Sequence, residues 1–401
     1  MVAEDIDVKY EDAIKRCKPS FRSKLEHSVT LLRKAEGLAK TYDNDDGFFL
    51  AFSGGKDSQA LYHVTKMAGV LFKGHFSPTS VDPPDLIRFI KNEYPSVEWG
   101  HLDFSIYQRA VERRILPTMR VRWCCADFKE TAGAGKVTLI GIRKEESARR
   151  AKRHEVEVSN KKFSGSLDEF EDWSKAEIER KTKRKTKRKI NEDEFSVKSD
   201  SEVHCINGKD SILISPIFDW TEKDIWYFLN DIIKAPHCKL YDEGYKRIGC
   251  ILCPMSSPKS KQRDIERFPH VKRNWIKAIK EIRSGGGGYS KKDLYGGTSP
   301  EIGCSRHYSE GNVWGNTLLP ANYPPLHLCK TTMGQQTHNT SLRQERCNGF
   351  SESPASGGVD AGQWTEDEIA EAIFDWWISG KPYKQWYSDK YLQQEIEFDT
   401  E

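Results

Sequence analysis

Between Gly47 and Ile214, short apolar runs alternate with amphipathic stretches. Gly47-Phe48-Phe49-Leu50-Ala51-Phe52 is apolar throughout, as a strand buried on both faces of a parallel sheet must be. Val70-Leu71-Phe72, Ser96-Val97-Glu98-Trp99, Val137-Thr138-Leu139-Ile140-Gly141 and Ser211-Ile212-Leu213-Ile214 predict further strands. After Phe52 comes a glycine turn and then a helical pattern through Leu61, Val64 and Met67, while Asp85 to Asn92 and Ile106 to Ile115 predict further helices. The alternation predicts an α/β fold, a doubly wound and mostly parallel sheet with flanking helices. Thr221 with Asp224 three residues on predicts a helix start.

The pattern divides the chain. Residues 1–45 predict a helical segment, with Ile14, Leu25, Val29, Leu32 and Ala35 on one apolar face or two short ones. Residues 46–283 carry the α/β pattern, interrupted at 154–205 by a charged insertion expected to be helical or disordered. Eight of the ten residues from Arg180 to Lys189 are Lys or Arg. Residues 284–362 open with Gly285 to Gly288 and show little apolar periodicity, so they are expected to be poorly ordered. Order is expected to resume over 363–401, where the capping box Thr365-Glu366-Asp367-Glu368 opens a helix through Trp377, followed by the aromatic stretch Tyr383 to Tyr391.

Composition adds limits. The 401 residues hold 63 basic and 60 acidic side chains, and a net charge of +3 does not by itself indicate a nucleic-acid partner. From Arg143 to Lys189, however, 17 basic residues face 10 acidic ones, so Arg180–Lys189 is a candidate nucleic-acid contact. A charge run is also what a solvated helix face looks like. No apolar run reaches the length a membrane helix needs, so no membrane partner is expected. The acidic start Met1-Val2-Ala3-Glu4-Asp5 lacks the pattern of a signal peptide, which predicts a cytoplasmic protein. Its ten cysteines are then read as thiols or metal ligands.

The chemistry concentrates at Ser53-Gly54-Gly55-Lys56-Asp57-Ser58, where a strand hands over to a helix. Glycines let the backbone bend and approach a ligand, and the helix start offers N–H groups and a positive dipole end to a phosphate. Lys56 adds charge, and Ser53 and Ser58 add hydroxyls. Asp57 reads as a helix cap or a contact for a metal such as magnesium. The G-x-x-x-x-G-K-[ST] spacing of a Walker loop is absent. A bare tight turn would also fit Ser-Gly-Gly, but not the whole hexapeptide after an apolar strand.

The hexapeptide resembles the PP-loop of the ATP pyrophosphatase superfamily, which implies a PP-loop/HUP-like fold with ATP or an activated sulfate nucleotide on the loop. Gly141-Ile142-Arg143-Lys144-Glu145-Glu146-Ser147 resembles a G-x-R-x-x-E-S motif of the phosphoadenylylsulfate reductases. It follows a predicted strand, so Arg143 would stand at the sheet's carboxyl edge, where a guanidinium suits sulfate or phosphate. A surface ion-pair cluster is the plainer alternative. Pro236 to Cys250 resembles the approach of these enzymes to their second cysteine pair, and the likeness covers roughly residues 45–260 apart from the insertion.

Cys124-Cys125 and Cys250-x-x-Cys253 make two thiol pairs, enough for a four-thiolate site. Zinc fits such a set as well as iron does. The resemblance implies a [4Fe–4S] cluster, since adenylylsulfate reductases hold one on a tandem pair plus a distant C-x-x-C. Cys238 is an alternative ligand in place of Cys124 or Cys125. One departure weighs on function: these reductases use a cysteine in a C-terminal glutamate-cysteine-glycine motif, and Trp376 to Glu401 contains no cysteine. No catalytic residue is identified. Three readings stand: reduction of adenylylsulfate or phosphoadenylylsulfate; ATP-dependent sulfur transfer to DNA or RNA; and a nucleotide- or nucleic-acid-binding module without chemistry. The first two call for an electron- or sulfur-donor protein.

Overall fold

The computed structural model describes residues 6–159, 162–191, 204–206, 210–284, 364–382, 385–386 and 389–390, with the side chains of 185–191 excepted. The expectations for 285–362 and for most of Tyr383 to Tyr391, and Cys304, Cys329 and Cys347, lie outside the described residues. The chain divides into two compact units, Met1–Ile106 with Val121–Cys253, and Tyr107–Arg120 with Pro254–Glu401.

In chain order the elements begin with α1 (Tyr10–Arg16), α2 (Pro19–Tyr42), β1 (Phe48–Ala51), α3 (Lys56–Ala68), β2 (Phe72–Phe76), α4 (Pro84–Glu93), β3 (Glu98–Trp99), α5 (Ile106–Arg113) and α6 (Trp123–Phe128). They continue with β4 (Val137–Leu139), α7 (Ala148–Ala151), β5 (Val156–Val158), β6 (Phe163–Gly165), α8 (Leu167–Asn191), β7 (Ile212–Ile214), α9 (Glu222–Tyr227), α10 (Pro258–Arg267), α11 (Pro269–Arg283) and α12 (Glu366–Ser379).

The first unit is built on a seven-stranded sheet of order β3-β2-β1-β4-β7-β5-β6. Its first five strands are mutually parallel, and β5 and β6 add antiparallel at one edge. The order in which strands are added reverses between β1 and β4, which themselves run parallel. From β1 the chain winds outward to β2 and β3, then returns to the other side of β1 at β4. Such a switch point opens a crevice at the carboxyl ends of the two strands, the common ligand position of doubly wound sheets. Phe48 and Leu50 are fully buried in β1, as are Val137 and Leu139 in β4 and Ile212 and Ile214 in β7.

Two sequence expectations shift. The second strand runs over Phe72–Phe76 rather than Val70–Phe72, because Lys73 and His75 hide it from an apolar search. Both face Glu98 on β3, Lys73 Nζ at 2.5 Å and His75 Nδ1 at 3.3 Å. The insertion, in turn, carries sheet as well as helix. Val156 and Val158 are buried on either side of a half-exposed Glu157, and β5 pairs with β7.

The basic helix then has a defined direction. Strand β6 runs parallel to β7, so α8 starts near the carboxyl ends of the parallel strands and runs back along the sheet. Lys181 Nζ donates to the carbonyl oxygens of His204 and Cys205 at 3.0 and 2.9 Å. Cys205 Sγ lies 3.0 Å from the hydroxyl of Tyr42, the last residue of α2 before β1. The run Arg180–Lys189 therefore leaves the sheet at its amino-terminal edge, opposite the crevice.

In the second unit, α12 packs on α11 with the Trp275 and Trp377 rings 4.8 Å apart. Trp377 Nε1 donates to the Pro117 carbonyl at 2.7 Å, and Arg283 pairs with Glu366 at 2.8 Å.

One buried hydroxyl ties α2 to the connection that carries α9. Ser28 Oγ donates to the Pro216 carbonyl at 2.6 Å and accepts from Trp220 Nε1 at 3.0 Å, and both Ser28 and Trp220 are almost wholly buried. Ser28→Ala leaves the indole N–H and the carbonyl unpaired away from water. It is expected to lower stability by about 1–3 kcal/mol in urea unfolding, whereas an unchanged midpoint would mean that water replaces the hydroxyl.

Candidate functional site

The crevice is assembled from three loops, each leaving the carboxyl end of a parallel strand. After β1 the chain turns at Gly54, whose φ is +69°, and enters α3 with Gly55 as N-cap. A Cβ at Gly54 would also come within 2.7 Å of the Leu86 and Ile90 side chains on α4, so both conformation and space call for glycine. Ser58, buried, spends its hydroxyl inside the turn. It donates to the Gly55 carbonyl at 2.9 Å and receives the Ser53 N–H at 3.1 Å. Its position therefore braces the loop instead of facing outward. Ser53 Oγ also points to it, at 3.1 Å.

After β4 comes Gly141, packed directly on the start of α3. A Cβ there would meet the Asp57 carbonyl carbon and oxygen at 3.2 Å. That contact lets Arg143 reach the loop. Its Nε donates to Asp57 Oδ1 at 2.6 Å, and its NH1 donates to Glu145 Oε2 at 3.0 Å and the Trp220 carbonyl at 3.3 Å. Asp57 thus serves as the partner of Arg143, while the N-cap of α3 has no side-chain bond.

Lys56 and Arg143 are 3% and 4% exposed, unusual for cations, and that burial makes their partners matter. Lys56 Nζ lies 3.3 Å from Asp57 Oδ2, 3.7 Å from Glu222 Oε1 and 3.3 Å from the Lys246 carbonyl. Glu222, the first residue of α9, also donates its own N–H to Glu145 Oε2 at 2.6 Å. Glu145 and Glu222 line a cleft of about 580 Å³ with Lys18, Lys223, Trp226 and Asp231.

A fourth segment closes on the loop from far along the chain. The Tyr241 hydroxyl accepts the Lys56 backbone N–H at 2.8 Å, and burial pushes its phenol pKa upward. Tyr241 stands within the Pro236 to Cys250 segment quoted from the sequence, but its role needed the fold to bring it 185 positions back.

Behind the loop, α3 is anchored by a buried polar chain. Gln59 Nε2 donates to the Tyr94 hydroxyl at 2.9 Å and to the Pro236 carbonyl at 2.9 Å, and the Tyr94 hydroxyl lies 3.1 Å from His63 Nε2. Tyr94 can donate its proton only to a neutral imidazole.

The thiol pairs face each other nearby. Cys124 and Cys125 stand on α6; Cys250 and Cys253 flank a turn in which the buried Leu252 has φ +57°. Arg122 NH2 donates to Cys125 Sγ at 3.1 Å, and Lys129, closing α6, donates from Nζ to Cys250 Sγ at 3.3 Å. Hydrogen bonding from Cys124 holds the Cys125 thiol down at about 5, against the effect of burial and with help from Arg122. Cys124 is pushed up by its bond to Cys125 and by burial, with Cys250 and Cys253 adding to the push. Among the described residues no group of three or more His, Cys, Asp or Glu is placed to hold a metal ion. Cys238 is buried, raised by that burial, with Asp85, Glu243 and Lys239 as the charges acting on it. Lys129 was not singled out from sequence. Its place four residues after Cys125, one helical turn away, was the available signal.

Residues 47–256 match the family model for the phosphoadenosine phosphosulfate reductase domain. An uncharacterized protein of Methanocaldococcus jannaschii is 23% identical over 300 residues, covering 72% of this chain and 59% of its own. The chain thus spans about three-fifths of that relative's length. Adenosine 5′-phosphosulfate reductase 2 of Bacillus subtilis is 38% identical over 47 residues, 12% of this chain and 20% of that one. The crystal structure of Candida glabrata FMN adenylyltransferase aligns with a TM-score of 0.35 and 15% identity, over 64% of this chain and 76% of that one. No helix among the described residues is long and apolar enough to cross a membrane.

The anchoring chain behind the loop predicts a pH dependence. Burial holds His63 down at about 3, against 6.5 for a free ring. The unfolded chain therefore takes up the proton first, so this contribution is complete above pH 6.5 and is lost as pH falls toward 3. From pH 6.5 to 5.0 the linked loss is at most about 2 kcal/mol. Urea unfolding at the two pH values should show it, and His63→Gln should flatten the difference; an equal slope in the variant would place the proton uptake elsewhere.

Proposed function

The chain belongs to the phosphoadenosine phosphosulfate reductase domain family, and from that premise we propose that it is a PP-loop, nucleotide-utilising enzyme acting on the phosphate end of an adenine nucleotide in sulfur chemistry. The observation that carries this reading is the buried pair Lys56 and Arg143, brought together by loops from β1 and β4 at the switch point. The loop Ser53 to Ser58 and Arg143 would hold the anion: Lys56 and Arg143 offer charge, and Ser58 and Tyr241 hold the Ser53 and Lys56 N–H groups so that the loop keeps its shape. Asp57 aims the guanidinium. Tyr241 fixes the loop's first helical N–H.

With adenylylsulfate or phosphoadenylylsulfate on the loop, the sulfur–oxygen bond to the nucleotide phosphate would break. The leaving phosphate would keep the electron pair, its charge held by Lys56 and Arg143, and sulfite would form with two electrons from a dithiol donor. The same two cations would stabilise pyrophosphate leaving from ATP. That second reading is an ATP-dependent sulfurtransferase. The placement of Arg180–Lys189 opposite the crevice speaks against that helix delivering a nucleic acid to Lys56.

Cys124, Cys125, Cys250 and Cys253 suit a [4Fe–4S] cluster. Arg122 at Cys125 and Lys129 at Cys250 place a cation beside each pair, and a cluster would take one thiolate at each of four irons. When bound, such a cluster supplies electrons or a local charge. Zinc is the outcome that would replace it.

Lys56→Ala is expected to weaken ATP or adenylylsulfate binding at least tenfold in calorimetry, with the thermal midpoint little changed; unchanged affinity would remove the loop from the site. Anaerobic purification should give a brown protein with about four irons and four sulfides per chain, and Cys250→Ser should lower both. Full iron in that variant, or zinc in the wild type, contradicts the proposed ligand set.

A further inference from the structure

The crevice carries an electrostatic puzzle. A site for a polyanion should present excess positive charge, yet here two buried cations face three carboxylates, Asp57, Glu145 and Glu222. Counted alone, these five groups carry one net negative charge, with Lys18 and Lys223 nearby on the cleft wall. Adding a phosphate to them would bring like charges together unless carboxylates withdraw.

The three are not equally free to do so. Asp57 is 22% exposed and holds Arg143 at 2.6 Å from within the loop itself. Glu145 and Glu222 are 51% and 52% exposed, and each stands on the wall of the adjoining cleft. Glu222 is the lighter held. Its carboxylate has Lys56 Nζ at 3.7 Å, and its fixed link to the site is through its backbone N–H to Glu145. Rotation of this side chain into the cleft breaks one long ion pair and leaves α9 in place.

We infer that Glu222, supported by Glu145, is an internal anion that occupies Lys56 in the unliganded protein and is displaced when the nucleotide phosphate binds. This rests on the loop being the phosphate site. Glu222 is then a specificity-determining residue. It keeps the buried ammonium paired when the site is empty, and it sets a threshold that an anion of lower charge such as sulfate passes poorly and di- or triphosphates pass well. On displacement its carboxylate enters the cleft beside Lys223 and Trp226, so the cleft wall changes charge as the nucleotide arrives.

The test is calorimetric titration of the full-length protein with inorganic pyrophosphate and, separately, with inorganic sulfate. Glu222→Gln keeps size and hydrogen bonding but removes the charge. The account expects pyrophosphate to bind roughly two- to five-fold tighter to Glu222→Gln, the range of a half-exposed ion pair. It also expects a larger relative gain for sulfate, and a gain that shrinks as salt rises. A role for Glu222 only in holding the start of α9 predicts a loss of affinity instead. Equal or weaker pyrophosphate binding in Glu222→Gln, with normal binding by the wild type, overturns this inference while leaving the loop as the site. Failure of the wild type to bind pyrophosphate, ATP or adenylylsulfate at all overturns both. Glu145→Gln provides a second variant, expected to show the same direction through Arg143.

Discussion

Everything in the crevice depends on one buried ion pair, Arg143 with Asp57. It joins the loop after β1 to the loop after β4 across the point where the order of strand addition reverses, at 2.6 Å. Removing a guanidinium from water is costly, and a carboxylate at hydrogen-bonding distance offsets that cost only if both are held in place. The holding is done by backbone. Gly54 adopts a left-handed conformation under α4, and Gly141 lies against the Asp57 carbonyl where a side chain would not fit. The pair fixes Asp57, Asp57 neighbours Lys56, and the two cations are presented as one site.

The elements that frame this site were legible because their patterns are local. The apolar run at β1, the glycine turn, the Thr221 and Thr365 capping boxes and the strands at β4 and β7 all appear where local chemistry predicts them. Errors arose where neighbours altered the local preference. Strand β2 is polar at Lys73 and His75 because Glu98 pairs with both, and β5 hides two buried valines in a charged insertion because β7 offers them an edge. Lys56, Asp57 and Arg143 could be named in advance, since motif and sheet position supplied them. Tyr241 and Glu222 could not be given roles, because their contacts join positions separated by more than 160 residues and exist only through the sheet order.

The thiol pairs show the same division. Spacing identified Cys124, Cys125, Cys250 and Cys253, while the cations that act on them, Arg122 and Lys129, emerged from the packing of α6 against the Cys250 turn. Arg122 helps to hold the Cys125 thiol down, whereas Cys124 is pushed up by its bond to Cys125 and by burial. The basic run Arg180–Lys189 in α8 is a candidate nucleic-acid contact. The direction of the helix is set by the antiparallel β5, and Lys181 anchors it to the carbonyl groups of His204 and Cys205.

The central claim is that Lys56 and Arg143 together receive the phosphate end of an adenine nucleotide. A crystal structure of the protein grown with pyrophosphate tests it most directly. The account predicts phosphate oxygens within hydrogen-bonding distance of Lys56 Nζ and the Arg143 guanidinium, over the first turn of α3. Pyrophosphate bound elsewhere, with both cations still closed on their carboxylates, would contradict it.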